Sequence, residues 1–167
     1  HVSRGAGTGE RQGEQRAKEV PAAETEGQHG GPDPRAVHCL GGHTQIRKIL
    51  KHAIRESKKE RLGALVFVGD AMEEEVDDLC ALAGELGMLK VPAFMFHEGG
   101  DREAGLAFRQ IARLSGGAYL HFDSNSAAGL KNLLSAVAVY AAGGKRALLS
   151  YGKREGGAAL QISYQVK

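Results

Sequence analysis

The chain contains no tryptophan, only two cysteines and four prolines, and aromatic residues make up 5% of it. Cys39 and Cys80 cannot build a disulfide framework, and their positions match no standard zinc knuckle, so a reducing, cytoplasmic setting is the expectation. No run approaches the 18 or so consecutive apolar residues that a membrane-spanning helix requires, and no signal peptide is visible, so no membrane association is expected. Large charge of one sign is missing as well. The 22 basic and 20 acidic residues leave a net charge of +2, too little for an electrostatic nucleic-acid surface. What remains is 167 residues of which 42% are hydrophobic, enough for the core of one domain.

That hydrophobic content is unevenly spread. Residues 1–35 lack Leu, Ile, Phe, Tyr and Met, and Val2 and Val20 are their only large aliphatic residues. A segment of this composition buries too little apolar surface to offset the entropy of ordering it, so disorder is expected there. "GAGTGE" at Gly5–Glu10 resembles a phosphate loop only superficially, because no strand precedes it and no lysine follows at the required spacing.

From Ala36 onward, amphipathic helices alternate with short apolar runs. "HTQIRKILKHAIRESKKE" places Ile46, Ile49, Leu50, Ala53 and Ile54 on one helical face. "ALVFVG" (Ala64–Gly69), "VPAFMFHEG" (Val91–Gly99) and "GAYLHFD" (Gly117–Asp123) read as strands, the first two buried on both faces. Between and after them, Val76, Leu79, Cys80, Ala83 and Leu86 repeat with helical period. So do Ala104, Ala107, Phe108, Ile111 and Leu114, and then Leu130, Leu133, Leu134, Val137 and Ala141. Gly116 and Gly117 should stop the second of these helices and Gly143 the third. The alternation predicts parallel strands joined by right-handed crossovers, an α/β three-layer sandwich of about three parallel strands. Leu160, Ile162, Tyr164 and Val166 then alternate with polar residues, which predicts a C-terminal edge strand linked to the long helix by "KRALLSYGKREGG".

Ligands of open parallel sheets gather at the carboxyl ends of the strands. The predicted strands end in Asp70, in His97 and Glu98, and in His121 and Asp123. The segment "HCLGGHTQ" brings His38, Cys39, His43 and Thr44 to the same rim. Oxygen donors of this kind suit a hard divalent cation. Each residue also has a structural reading. Asp70 with Glu73 fits a helix capping box, Glu74, Glu75, Asp77 and Asp78 fit solvated acids of a first helical turn, and Thr44 fits an N-cap. His97 and His121 fit ordinary strand-end histidines, and Cys80 an inert residue on an inward helix face.

Several stretches together resemble the C-terminal part of bacterial von Willebrand factor A domains. They are "CLGGHTQIRKILKHA", "ALVFVGDAMEEEVDDLCALAGELG", "PAFMFHEGGD", "FRQIARLSGGAYLHFD" and "LLSAVAVYAAGGKRAL", spanning about Val37 to Arg154. The resemblance implies a Rossmann-like fold and a metal ion-dependent adhesion site built from three loops, which binds proteins and performs no catalysis. "GGHTQ" matches the second loop and places Thr44 in the site; "VFVGDA" matches the third and places Asp70 there, with Mg2+ as the implied cation. The first loop, D-x-S/T-x-S, occurs nowhere upstream of Thr44, and residues 1–35 stand where it and its strand would lie. The implied function is a cation-assisted protein-binding module with an impaired metal site, and the implied partner is a protein, an AAA+ ATPase among the candidates. A small α/β enzyme or nucleotide-binding domain using Asp70, His97 and Asp123 is the alternative, and an inactive fragment is a further one.

Overall fold

The computed structural model describes residues 44–123 and 127–167. The disorder expected of residues 1–35 and the readings of His38, Cys39 and His43 lie outside the described residues.

Helix α1 (Ile46–Ser57) leads into strand β1 (Leu65–Gly69), followed by α2 (Val76–Met88), β2 (Ala93–Glu98), α3 (Arg102–Ser115) and β3 (Ala118–Phe122). Two further helices, α4 (Ala127–Glu155) and α5 (Gly157–Gln165), complete the described chain. The three strands are parallel and pair in chain order, β1-β2-β3, with Leu65 opposite Ala93 and Phe94 opposite Ala118. Successive right-handed crossovers that step in one direction leave their helices on the same face of a sheet. α2 and α3 accordingly share a face with α1, and α4 and α5 cover the other.

Strand side chains alternate between these faces. Phe67, Ala93 and Met95 point into a core with Leu50 and Ile54 of α1, Leu79 and Leu86 of α2, and Phe108 and Ile111 of α3. Phe94, Phe96 and Ala118 point into a second core with Leu133, Val137 and Leu148 of α4 and Ile162 of α5. β2 is buried on both sides, as its continuous apolar run requires. The fold is therefore the three-layer α/β sandwich that the alternation implies. None of the helices among the described residues is long and apolar enough to cross a membrane.

The sequence reading needs correction in three places. The expected C-terminal strand is helix α5. Its alternation is real, but burial follows a helical face of Ala159, Ile162, Ser163 and Val166, while Tyr164 stays 67% exposed. Gly156 and Gly157, both at positive φ, reverse the chain after α4. At Gly152 of α4 a Cβ would lie 2.9 Å from the α5 backbone, so the close approach of the two helices needs a glycine there. Packing against α4 and β3 thus overrides the local strand pattern. Second, the long helix does not end at Gly143. It breaks at Gly144 (φ 67°, ψ −165°) and resumes, so the predicted linker is helical and seats Leu148 in the core. Third, Ile49, Leu114, Leu134 and Ala141 are exposed, although their helical period put them on the inward faces, and β1, expected to be buried on both faces, is the edge strand of the described sheet and leaves Val68 41% exposed.

α3 ends as its two glycines require. Gly116 adopts a left-handed conformation (φ 79°), and the Gly117 N–H donates to the Ala112 carbonyl at 2.8 Å.

Candidate functional site

The register aligns Gly69, His97 and His121 in one row at the carboxyl end of the sheet. Asp70 follows β1 directly and is exposed. Thr44 lies half-buried just ahead of α1. Its expected capping role goes unfilled: the N-cap of α1 is Gln45, and it makes no side-chain cap. A residue far along the chain takes over. The Arg47 backbone N–H in the first turn of α1 donates to both carboxylate oxygens of Glu74 at 3.2 Å, and the Arg47 guanidinium pairs with Asp78. A carboxylate on the first N–H groups of a helix satisfies orphan donors and meets the positive end of its dipole.

The expected Asp70–Glu73 capping box does not form, because α2 starts at Val76 with Glu75 as N-cap and without a side-chain bond. Nor are all the acids after β1 simply solvated. Glu74 and Asp78 clasp Arg47, which ties the first turn of α1 to the end of the β1–α2 loop and to α2.

The second group of polar residues lies across the row. His97 is 3% exposed. Its Nδ1 lies 3.0 Å from the Tyr119 hydroxyl, and its Nε2 has no hydrogen-bond partner among the described residues. An unsatisfied buried polar atom costs about 1–3 kcal/mol. The His97 ring meets Phe108 edge-on at 5.4 Å between centroids and His121 at 5.4 Å. Gly105 of α3 permits this packing, since a Cβ there would stand 3.2 Å from His97 Nδ1 and 3.3 Å from the Tyr119 oxygen. His121 Nε2 meets the Gly99 carbonyl, so that nitrogen carries the proton. The Arg109 guanidinium sits 4.8 Å above the centre of the Tyr119 ring. Apart from Phe108 these residues, together with Gly100, Arg102 and Leu106, line an open cavity of about 360 Å³.

Asp70, His97 and Asp123 therefore share a rim without forming a working trio. They end three successive strands, and neighbouring strands lie about 4.8 Å apart, which puts Asp70 and Asp123 on the order of 10 Å from each other. His97 is buried at the floor of that cavity and turned to a phenol, not to a carboxylate. Cys80 is also unsuited to chemistry. Its thiol meets the Gln110 side chain at 3.2 Å, and burial, with help from the Asp77 carboxylate, pushes its pKa up.

Sequence reasoning missed Tyr119, Arg109, Gly105 and the Gly99–Gly100 turn. The signal for the turn was present: a Gly-Gly pair stands between a strand and a helix in "FHEGGDREAG". Tyr119 and Arg109 carried none, because their meeting depends on the packing of α3 against β3.

Among the described residues, no group of three or more His, Cys, Asp or Glu side chains is arranged to hold a metal ion. The donors that Thr44 and Asp70 offer are one hydroxyl and one carboxylate. Mg2+ accepts such a set, since it is commonly held by one or two carboxylates and keeps several of its waters. No family model matches the chain, and no curated protein or solved structure matches it either.

Proposed function

We propose that this chain is a cation-assisted protein-binding module of the von Willebrand factor A type, with Asp70 and Thr44 as its remaining metal-site residues. The observation that carries the reading is the clasp of Glu74 and Asp78 on Arg47, which ties the start of α1 to the loop after β1. Asp70 stands exposed at the head of that loop, at the strand end where open parallel sheets bind their ligands. Asp70 would ligate Mg2+ directly or through water, and the Thr44 hydroxyl would add a second oxygen. A bound Mg2+ would supply a positive anchor for a carboxylate of the partner protein, an AAA+ ATPase being the candidate that the family resemblance suggests. With two protein ligands, most of the coordination falls to water, so the affinity for the metal alone is low. Two cysteines that build no disulfide framework suit a reducing, cytoplasmic setting for the module.

Mn2+ shares the oxygen preference of Mg2+ and broadens nearby amide resonances. Titrating it into the full chain should broaden Asp70, Ala71 and Thr44 before other residues. Asp70→Ala should abolish the effect, and excess Mg2+ should reverse it. Broadening that survives Asp70→Ala, or that centres on another part of the molecule, would overturn the assignment.

A further inference from the structure

The cavity at the carboxyl ends of β2 and β3 plays no part in the metal reading, and its chemistry differs from that of the β1 rim. It opens beside a strand–Gly-Gly–helix turn, where Gly99 takes a positive φ of 78° and Gly100 has open space beside its α-carbon. The turn feeds the first turn of α3, a helix of 14 residues. The positive end of the helix favours an anion at such a place, but the Glu103 and Ala104 N–H groups are taken by Asp101, so side chains and the turn must supply the donors. The helix end does not stand alone. His97 lines the same cavity, is more than nine-tenths buried, and leaves Nε2 without a partner among the described residues. Arg102 and Arg109 line it as well, and Leu106 adds an apolar wall. One acid is present, Asp101, and its Oδ1 is engaged in capping Glu103 and Ala104 at 2.9 and 3.1 Å. The two guanidinium groups outnumber it.

We infer that this cavity binds the phosphate group of a small ligand, with Arg109 and Arg102 as its cations and the Tyr119 hydroxyl as a neutral donor. The His97–Tyr119 pair suits that task. When Nδ1 of His97 carries the proton, it donates to the phenol oxygen, and the Tyr119 O–H is released to donate to the anion. When Nε2 carries it, the Tyr119 O–H is spent on Nδ1. Binding of an oxyanion selects the first arrangement, so the buried histidine acts as a positioning residue for Tyr119. The glycine at position 105 keeps room for the pair. A volume of about 360 Å³ leaves space for an organic group beside the phosphate, against Leu106.

The test is an amide-resonance titration of the full chain, without divalent metal, using inorganic phosphate and glycerol phosphate in separate arms. Saturable shifts at Gly99, Gly100, Arg102 and Tyr119 are expected. Tighter binding of glycerol phosphate identifies an ester as the ligand class; equal or tighter binding of inorganic phosphate identifies the free anion. Tyr119→Phe and Arg109→Gln should each weaken binding about tenfold. Melting temperatures of both variants close to that of the parent would show that the fold is kept. Absence of saturable shifts in both arms, or shifts that neither substitution weakens, would overturn the proposal. The metal assignment at Asp70 is unaffected by either result.

Discussion

The two ends of the sheet are built to opposite specifications. At the amino end, backbone meets backbone closely at two glycines, beside open clefts lined by Arg61, Lys90 and Tyr140. A Cβ at Gly117 would overlap the Ala93 backbone, and one at Gly87 would overlap the Leu114 carbonyl. The buried Ser115 hydroxyl accepts from the Ala93 N–H at 3.0 Å and donates back to its own helix. The exposed side chains around this end are largely basic, among them Lys58, Lys59, Arg61, Lys90 and Lys167. At the carboxyl end Gly100 faces open space, a cavity opens beside the β2–α3 turn, and apart from Arg102 and Arg109 at that cavity the exposed side chains are largely acidic, among them Asp70, Glu75 and Glu103. The polarity follows from topology. Parallel strands with connecting helices put the helix amino termini at one end, where acids are favoured, and the carboxyl termini at the other, where bases are. Close packing at one end supplies the rigidity that lets the other present polar groups on open loops.

Substitutions can break that contrast. The largest effect is expected for Gly117→Ala at the amino end, where the added methyl has nowhere to go; a loss of about 3 kcal/mol or more in a urea melt is expected. A loss below about 1 kcal/mol would show that the end is less tightly packed than described. Ser115→Ala comes next. It strands the buried Ala93 N–H and should cost about 1–3 kcal/mol, read from the denaturation midpoint at unchanged slope.

Glu74→Ala is intermediate in kind, because the clasp on α1 belongs to the carboxyl end yet bears on the fold. A loss of about 1 kcal/mol is expected, together with faster hydrogen exchange in the first turn of α1. Glu74→Gln keeps an acceptor and should lose less. Asp70→Ala should change stability by no more than about 0.5 kcal/mol, since the side chain is exposed and outside any helix cap. A large loss there would give Asp70 a structural role and weaken the contrast between the ends.

Legibility in the sequence followed the same divide. The three strands, the two-sided burial of β2 and most of the buried faces of α2 and α3 were readable because a long apolar run or a 3.6-residue period reports burial directly. Gly116 and Gly117 marked the end of α3 because their roles are local. Helix α5 was not readable. Leu160, Ile162, Tyr164 and Val166 carry a period of two, and only the surface offered by α4 and β3 decides for a helix. At the rim, Asp70 and His97 were placed at the strand ends correctly, but their neighbours were not. Glu74 caps a helix 27 residues away in sequence, and Tyr119 meets a histidine 22 residues away. Partnerships across such distances leave no periodic trace.

The order of the strands in the sheet, identical to their order in the chain, has a consequence for how the molecule is made. Leu65 pairs with Ala93, 28 positions on (93 − 65), and Phe94 with Ala118, 24 positions on (118 − 94). Among the described residues, no strand waits for a partner emerging much later. Sheets whose central strand must be inserted between earlier ones close long loops before any pairing rewards them, and they fold slowly. Here each βαβ unit can zip as soon as it is synthesised, in the direction of translation, and α4 and α5 then shut the remaining face as a local hairpin.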